Sequence, residues 1–374
     1  MMIRRAVNLV VICLGLIACI YLTKRAVWPD SCVFRQHVQD AYRCAAAMAH
    51  GKFASMDKDQ LVIWDIASGK SRIVHRFSTK IEKLAFSFDG TRVAAVRPLE
   101  KQISILDAAT GEELHSFRME NGLIRAVAFN KSGKLFAAGD GDGNINLWDL
   151  DAGLLLGSLR VSPDDIWSMA FSPDGQSLAS GSGGFHGTVR LWDLASLKER
   201  ARMMVEGSVT SLAFSPDSGT LASGDTSDTV TLTDIRNGNQ HEIPRTHEDD
   251  NCDLGVSFSQ DGTRLAAWDF NGIVTVSEVS SGQRLETYGW NDGANIANSV
   301  EFGPRGEVWA FVSYAANDRA DRQIVEVWEF SSRRWQVIAM RMLVVPVWFI
   351  WLAFVCRYRL QLVRIRKIAS IFSR

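Results

Sequence analysis

Short runs of alternating apolar and polar residues, broken by turn residues, fill the middle of the chain. In Thr188-Val189-Arg190-Leu191-Trp192-Asp193 the side chains alternate as in a half-buried strand. Pro-Asp-Gly and Ala67-Ser68-Gly69-Lys70 supply turns, because proline presets φ and glycine accepts positive φ. One pattern returns as Leu84-Ala85-Phe86-Ser87-Phe88-Asp89-Gly90 and, further on, as Met169-Ala170-Phe171-Ser172-Pro173-Asp174-Gly175. Its phenylalanines stand at 86, 129, 171, 214, 258 and 302, so the steps are 43, 42, 43, 44 and 44. A regular step of this length means that one supersecondary unit is stacked many times. Two stretches escape the pattern. Ala6 to Leu22 and Met342 to Cys356 are almost purely apolar.

About 20 residues after each phenylalanine comes a second mark: Leu106-Asp107, Trp148-Asp149, Trp192-Asp193, Thr233-Asp234, Ser277-Glu278 and Trp328-Glu329. An earlier copy is Trp64-Asp65, whose first half is expected at Ala45 to Gly51, making seven units. Units of about 43 residues with four strands and a closing Trp-Asp resemble the WD-repeat β-propeller family. The resemblance covers about residues 43–340. It implies an all-β fold, a seven-bladed propeller. Some family features are missing. No unit opens with Gly-His, and His247 is the nearest stand-in. Tryptophan is lost in the second, fifth and sixth units, so the family's His–Ser/Thr–Trp network is expected to be incomplete. The last step holds an insertion, Tyr314 to Gln323. Two segments are candidates to close the ring: residues 28–38, or Trp335 to Met340.

The charge distribution changes the picture at the ends. The formal net charge is -1, from 41 basic and 42 acidic residues. Residues 1–25 carry four basic residues and no acid, and residues 331–374 carry nine basic residues and no acid. The middle holds 28 basic against 42 acidic residues, which disfavours nucleic acid as a partner. The N-terminal run, at 1.5 Å per residue, spans about 25 Å, near the lower limit for a bilayer. It reads as a signal-anchor, a cleaved signal peptide or, through Leu16-Ile17-Ala18-Cys19, a lipoprotein signal. The anchor is preferred because Ile20-Tyr21-Leu22 prolong the apolar run. The second run, flanked by Arg341 and Arg357, is followed by Arg359, Arg364, Arg366, Lys367 and Arg374. By the positive-inside rule this tail is cytoplasmic. The expected organisation is an N-terminal anchor or signal over 1–25, the propeller over 26–340, and a transmembrane helix with a basic cytoplasmic tail over 341–374. Both termini would then be cytoplasmic and the propeller extracytoplasmic.

Candidate chemistry is sparse. The six cysteines form no Cys-x-x-Cys pair, although Cys32 and Cys44 suit one bridge in an oxidising compartment. The seven histidines show no metalloprotease spacing, and no nucleophile elbow, P-loop or kinase signature occurs. Gly139 to Asn144 resembles the start of a calcium loop, but Ile145 stands where glycine is needed, so a turn between strands is expected. Asp164 and Asp165 have no identifiable partner base. Asn130-Lys131-Ser132 is a glycosylation sequon, meaningful only in a eukaryotic secretory host. No catalytic residue, metal ligand or cofactor is assigned. The partner-binding candidates are Trp167, Trp268 and Trp290, as aromatics not required by a blade core; Phe185 and His186 in a glycine-rich loop; and Asp249 and Asp250 in the densest acidic cluster. The resemblance implies a non-catalytic protein-interaction platform, here tethered to a membrane and with an unknown protein partner. The alternative is an extracytoplasmic propeller that binds a small ligand or metal ion, possibly as an enzyme.

Overall fold

A computed structural model describes residues 32–39, 46–49, 52–57, 60–65, 70–161, 165–184, 187–243, 254–269, 272–288, 296–303, 306–315 and 322–330. They form 28 strands and, among the described residues, no helix. The strands make seven four-stranded antiparallel sheets within one compact unit, Ser31–Glu329. The second unit, Met1–Asp30 with Phe330–Arg374, contributes only Phe330 to the described residues. Among those residues no helix is long and apolar enough to cross a membrane. Both apolar runs that were expected to do so lie outside them.

Each sheet is a meander of inner, second, third and outer strands. In blade 4 these are Ile166–Phe171, Ser177–Ser182, Thr188–Asp193 and Lys198–Met204. Inner strands of successive blades are neighbours, and the inner strand of blade 7 (Ile296–Phe302) adjoins that of blade 1 (Ala46–Ala49), which completes a ring. The outer strand of blade 7 is the first of the chain: Cys32–Gln39 pairs with Arg322–Phe330, with Phe34 opposite Val327 and Gln39 opposite Arg322. Of the two closing segments allowed by the sequence, the N-terminal one is therefore used. Blade 1 departs by one residue from the expected alignment. Met48 faces Phe53, as Phe129 faces Phe136 in blade 3, and Ala49 faces Lys52, so residues 50 and 51 alone link the strands. The expected insertion in blade 7 lengthens its hairpin: the strands there are Val308–Ala315 and Arg322–Phe330, of 8 and 9 residues.

The core lies between blades rather than within them. Phe136 and Ala138 of blade 3 pack with Ile103, Ile105 and Phe117 of blade 2. Ala137, one residue along, packs with Ile166, Met169 and Trp192 of blade 4. Alternation thus survives as a choice between two buried faces, which explains the nearly continuous apolar second strands. Trp148 stacks on Phe117 with ring centroids 4.9 Å apart. Trp64 and Trp192 donate through Nε1 to Ser55 Oγ and Ser180 Oγ at 3.1 and 2.9 Å.

The two edges of each blade differ in kind. At one, here the turn edge, the inner strand ends. Ser172 Oγ donates to Asp174 Oδ1 at 2.5 Å and accepts from Ser177 N, and the same clamp recurs at Ser87/Asp89, Ser215/Asp217 and Ser259/Asp261. The aspartate of the Trp-Asp mark works at this edge too. Asp149 Oδ1 accepts from Asp151 N and Ala152 N, and Asp193 Oδ1 from Ser196 N, so the acid caps the turn into the outer strand. Cations link successive blades here: Lys52 donates to Gly90 O at 3.0 Å, Arg92 to Gly133 O at 2.7 Å and Arg264 to Gly306 O at 2.8 Å. At the other edge, the entry edge, each inner strand begins.

Candidate interaction site at the entry edge

Three inner strands begin with an extra residue. Arg125 has no counterpart between the pairs Ile124–Asp140 and Ala126–Gly139. Trp167 stands likewise between Ile166–Ser182 and Ser168–Gly181, and Thr210 between Val209–Asp225 and Ser211–Gly224. A bulge re-aims its residue out of the pleat. Ile124 and Ala126 are accordingly buried while Arg125 is exposed, and Trp167 is 38% exposed between buried Ile166 and Ser168. Thr210 turns back instead, donating through Oγ1 to Leu254 O at 2.7 Å.

Arg125 Nε lies 3.7 Å from Asp165 Oδ2, so Asp165 faces a guanidinium from the preceding blade and not a nucleophile. Blade 2 opens its inner strand, Lys83–Phe86, with Lys83. The Lys83 side chain keeps contact with solvent and makes no hydrogen bond or ion pair among the described residues. Desolvation by the surrounding strands lowers its pKa most, the charge of Arg125 lowers it further, and Glu82 opposes with a smaller effect.

Glycines make room for the tryptophans. A Cβ on Gly183 would fall 2.6 Å from Trp167 Nε1, and one on Gly255 would fall 2.1 Å from Trp268 Cε2. Trp268 ends the second strand of blade 6 and is half-buried over Gly255. Its indole fills the space left by a glycine of its own sheet. Trp167 belongs to blade 4 and Trp268 to blade 6, so the two are not brought together. Phe185, His186, Asp249, Asp250 and Trp290 lie outside the described residues. The segments that contain them join strand ends of the entry edge: 183–187 within blade 4, 244–253 between blades 5 and 6, and 289–295 between blades 6 and 7.

The Gly139-to-Asn144 segment is a turn. Asp140 is fully buried, and its Oδ1 accepts from Asp142 N at 3.0 Å and Asn144 N at 2.8 Å, so its lone pairs serve the backbone. Asp225 and Asp269 do the same in blades 5 and 6, accepting from Thr229 N and Ile273 N. Burial raises the pKa of Asp225, against the lowering by its backbone donors. Among the described residues no three His, Cys, Asp or Glu side chains group as metal ligands.

Three segments, residues 111–149, 153–193 and 202–234, match the family model described as WD domain, G-beta repeat. These three segments are similar to WD repeats. Each matched segment starts at or in the outer strand of one blade and runs through three strands of the next, so the covalent repeat stitches neighbouring sheets together. Human apoptotic protease-activating factor 1 is 26% identical over 179 residues, 45% of this chain and 14% of that protein. The WD repeat-containing protein SL1-17 of Schistosoma mansoni is 33% identical over 94 residues, 25% of this chain and 31% of that protein. Human striatin-4 is 34% identical over 96 residues, 23% of this chain and 12% of that protein. The chain therefore spans less than a third of each of these relatives.

Sequence reasoning singled out Trp167 and missed Lys83, Arg125 and Glu301. A signal existed for the last two. Arg125 is a lone charge between Ile124 and Ala126. Glu301 stands where Ala85, Ala128, Ala170 and Ala213 stand in blades 2 to 5, and desolvation pushes its carboxyl up to about 8.

Proposed function

We propose that this chain is a non-catalytic, membrane-tethered platform that takes a protein partner on the entry edge of its propeller. The observation that carries the reading is the contrast between the two edges. The turn edge repeats one clamped hydrogen-bond pattern, whereas the entry edge varies from blade to blade and presents Arg125 and Trp167 from bulges. Variable segments on a regular scaffold are where binding residues concentrate, and tryptophan and arginine are the residue types most enriched in binding hot spots. The WD-repeat relatives support a scaffold role over a catalytic one. The tether rests on the two apolar runs and their basic flanks. Held at a membrane, the propeller would meet any partner on the same surface at raised effective concentration.

The test is proximity labelling with the full chain in its native host, comparing Trp167→Ala with Lys134→Glu at the turn edge. One set of neighbours lost with Trp167→Ala and kept with Lys134→Glu is the expected result. Equal loss in both, or in neither, overturns the entry-edge assignment.

A further inference from the structure

We propose that the rim between blades 3 and 4 seats one acidic, amphipathic helix of a protein partner. This surface lies on the outer strands, apart from the entry edge, and does not rest on the entry-edge reading. The outer strand of blade 3 is Leu154–Arg160, and that of blade 4 is Lys198–Met204. Leu154, Leu155 and Leu156 are 63%, 52% and 49% exposed. Three successive exposed leucines on an open sheet edge invite association. Each of the other six outer strands places a charged residue among its first four, whereas the first charge of this one is Arg160.

The register sets this apolar row beside a cationic one. Leu154 is opposite Asp149, Leu155 is opposite Trp148, and Leu156 is the bulged residue. One blade on, Lys198 is opposite Asp193, Glu199 is opposite Trp192, and Arg200 is bulged. Leu154-Leu155-Leu156 and Lys198-Glu199-Arg200 therefore hold equivalent places on adjacent blades. The two outer strands touch across the seam. A Cβ on Gly157 would fall 2.5 Å from Leu197 Cδ1, and Leu159 packs in one cluster with Trp192.

The positive charge of this row is not cancelled locally. Glu199 is bound by both Arg190 Nη1 and Arg202 Nε, each at 2.9 Å, so that trio keeps one positive charge. Asp193 Oδ1 accepts from Ser196 N and Oγ, and the carboxylate attracts Arg200 without forming an ion pair. The side chains of Arg160, Lys198 and Arg200 are exposed and make no hydrogen bond or ion pair among the described residues. An occupant has to offer an apolar stripe and an acidic stripe side by side. An α-helix does so on neighbouring positions of one face, whereas a strand turns every second residue away. Apolar residues at helical spacing would pack on the leucines, and carboxylates would accept from Lys198 and Arg200. The middle of the chain is acidic, so most of the propeller repels an extended anionic surface, while a single helix meets only these two strands.

The experiment selects a display library of single helices with randomised surfaces on the purified full chain and measures the affinity of an enriched helix. The expected result is enrichment of helices with an apolar stripe and Asp or Glu beside it. Leu155→Glu and the pair Lys198→Glu/Arg200→Glu should each weaken binding about tenfold. Leu285→Glu, at an exposed leucine of the blade 6 outer strand, should leave it unchanged. Replacing the acids of the helix by lysines should restore binding to Lys198→Glu/Arg200→Glu and abolish it on wild type, a reversal that loss of fold does not produce. Melting curves like that of wild type should show that the blades are intact in each variant. The inference is overturned if no helix enriches, if the enriched helices lack acids, or if Leu155→Glu or the charge-reversed pair binds as wild type does. Binding to phosphatidylserine vesicles that is lost in Leu155→Glu, with no helix enriched, would assign the rim to lipid and overturn it as well. None of these substitutions lies at the entry edge, so failure here leaves the entry-edge reading standing.

Discussion

Glu301 shows how much one position in a repeat can hold. The alanines of the same column let inner strands approach closely, with Ala128 packing against the core between blades 3 and 4. In blade 7 a carboxylate occupies that column, and burial holds its pKa at about 8 against an ordinary 4.5. The folded state therefore keeps a proton that the unfolded chain releases, and stability falls as pH rises from about 4.5 to about 8. Integrated over that window, the effect is on the order of a few kcal/mol. Glu301→Gln should melt at the same temperature as wild type at pH 5 and several degrees higher at pH 8.5. A gap that is equal at both pH values would show that the group does not titrate in this window. The residue scale also explains what the missing Gly-His costs. Trp64 and Trp192 retain a serine acceptor, so half of the family network survives without histidine. Where Ala138 replaces that serine, Trp148 is held by stacking on Phe117.

Among elements, the outer strands face the problem of an open edge, which invites pairing with other chains. Bulges interrupt the pairing of the outer strands of blades 1, 2, 3, 4 and 6, at Val74, Leu114, Leu156, Arg200 and Leu285. Charges guard most of them as well, as in Lys198-Glu199-Arg200 of blade 4. The seventh outer strand, Cys32–Gln39, comes from the far end of the sequence. Its polar sequence, Phe34-Arg35-Gln36-His37, gives no hydrophobic signal of register, and so the sequence left two closing segments open. The fold class and six of the seven inner strands were legible because phenylalanine and the turn residues recur in step. Blade 1 slipped by one residue because Met48 replaces phenylalanine and no Ser-x-Asp-Gly follows. Removing residues 32–39 should leave blade 7 with three strands and without the strand that ties the start of the chain into it. Amide exchange should then quicken in 296–302, 308–315 and 322–330 while blades 3 and 4 stay protected. Unchanged exchange in blade 7 would mean that another strand closes the ring.

For the whole molecule, the seven sheets carry no signal of which compartment they occupy, because the core between blades is the same in any aqueous setting. The entry-edge residues were only partly legible for a related reason: Arg125 and Asp165 acquire meaning from facing each other across two blades, about 40 residues apart in sequence. The ends do carry a compartment signal. On the proposed tether, Arg4, Arg5 and the basic residues after Cys356 would lie in the cytoplasm, against the weaker pull of Lys24 and Arg25, and the acidic middle would lie on the other side. Cys252 tests this placement, since it lies in the 244–253 segment that joins blades 5 and 6. A membrane-impermeant maleimide should label it in intact cells, and Cys252→Ser should abolish that labelling. A reporter thiol added after Arg374 should react only once the membrane is opened. If Cys252 too reacts only after permeabilisation, with any outer barrier shown to pass the reagent, the propeller is cytoplasmic. The partner then has to be sought there, and the basic flanks need another cause.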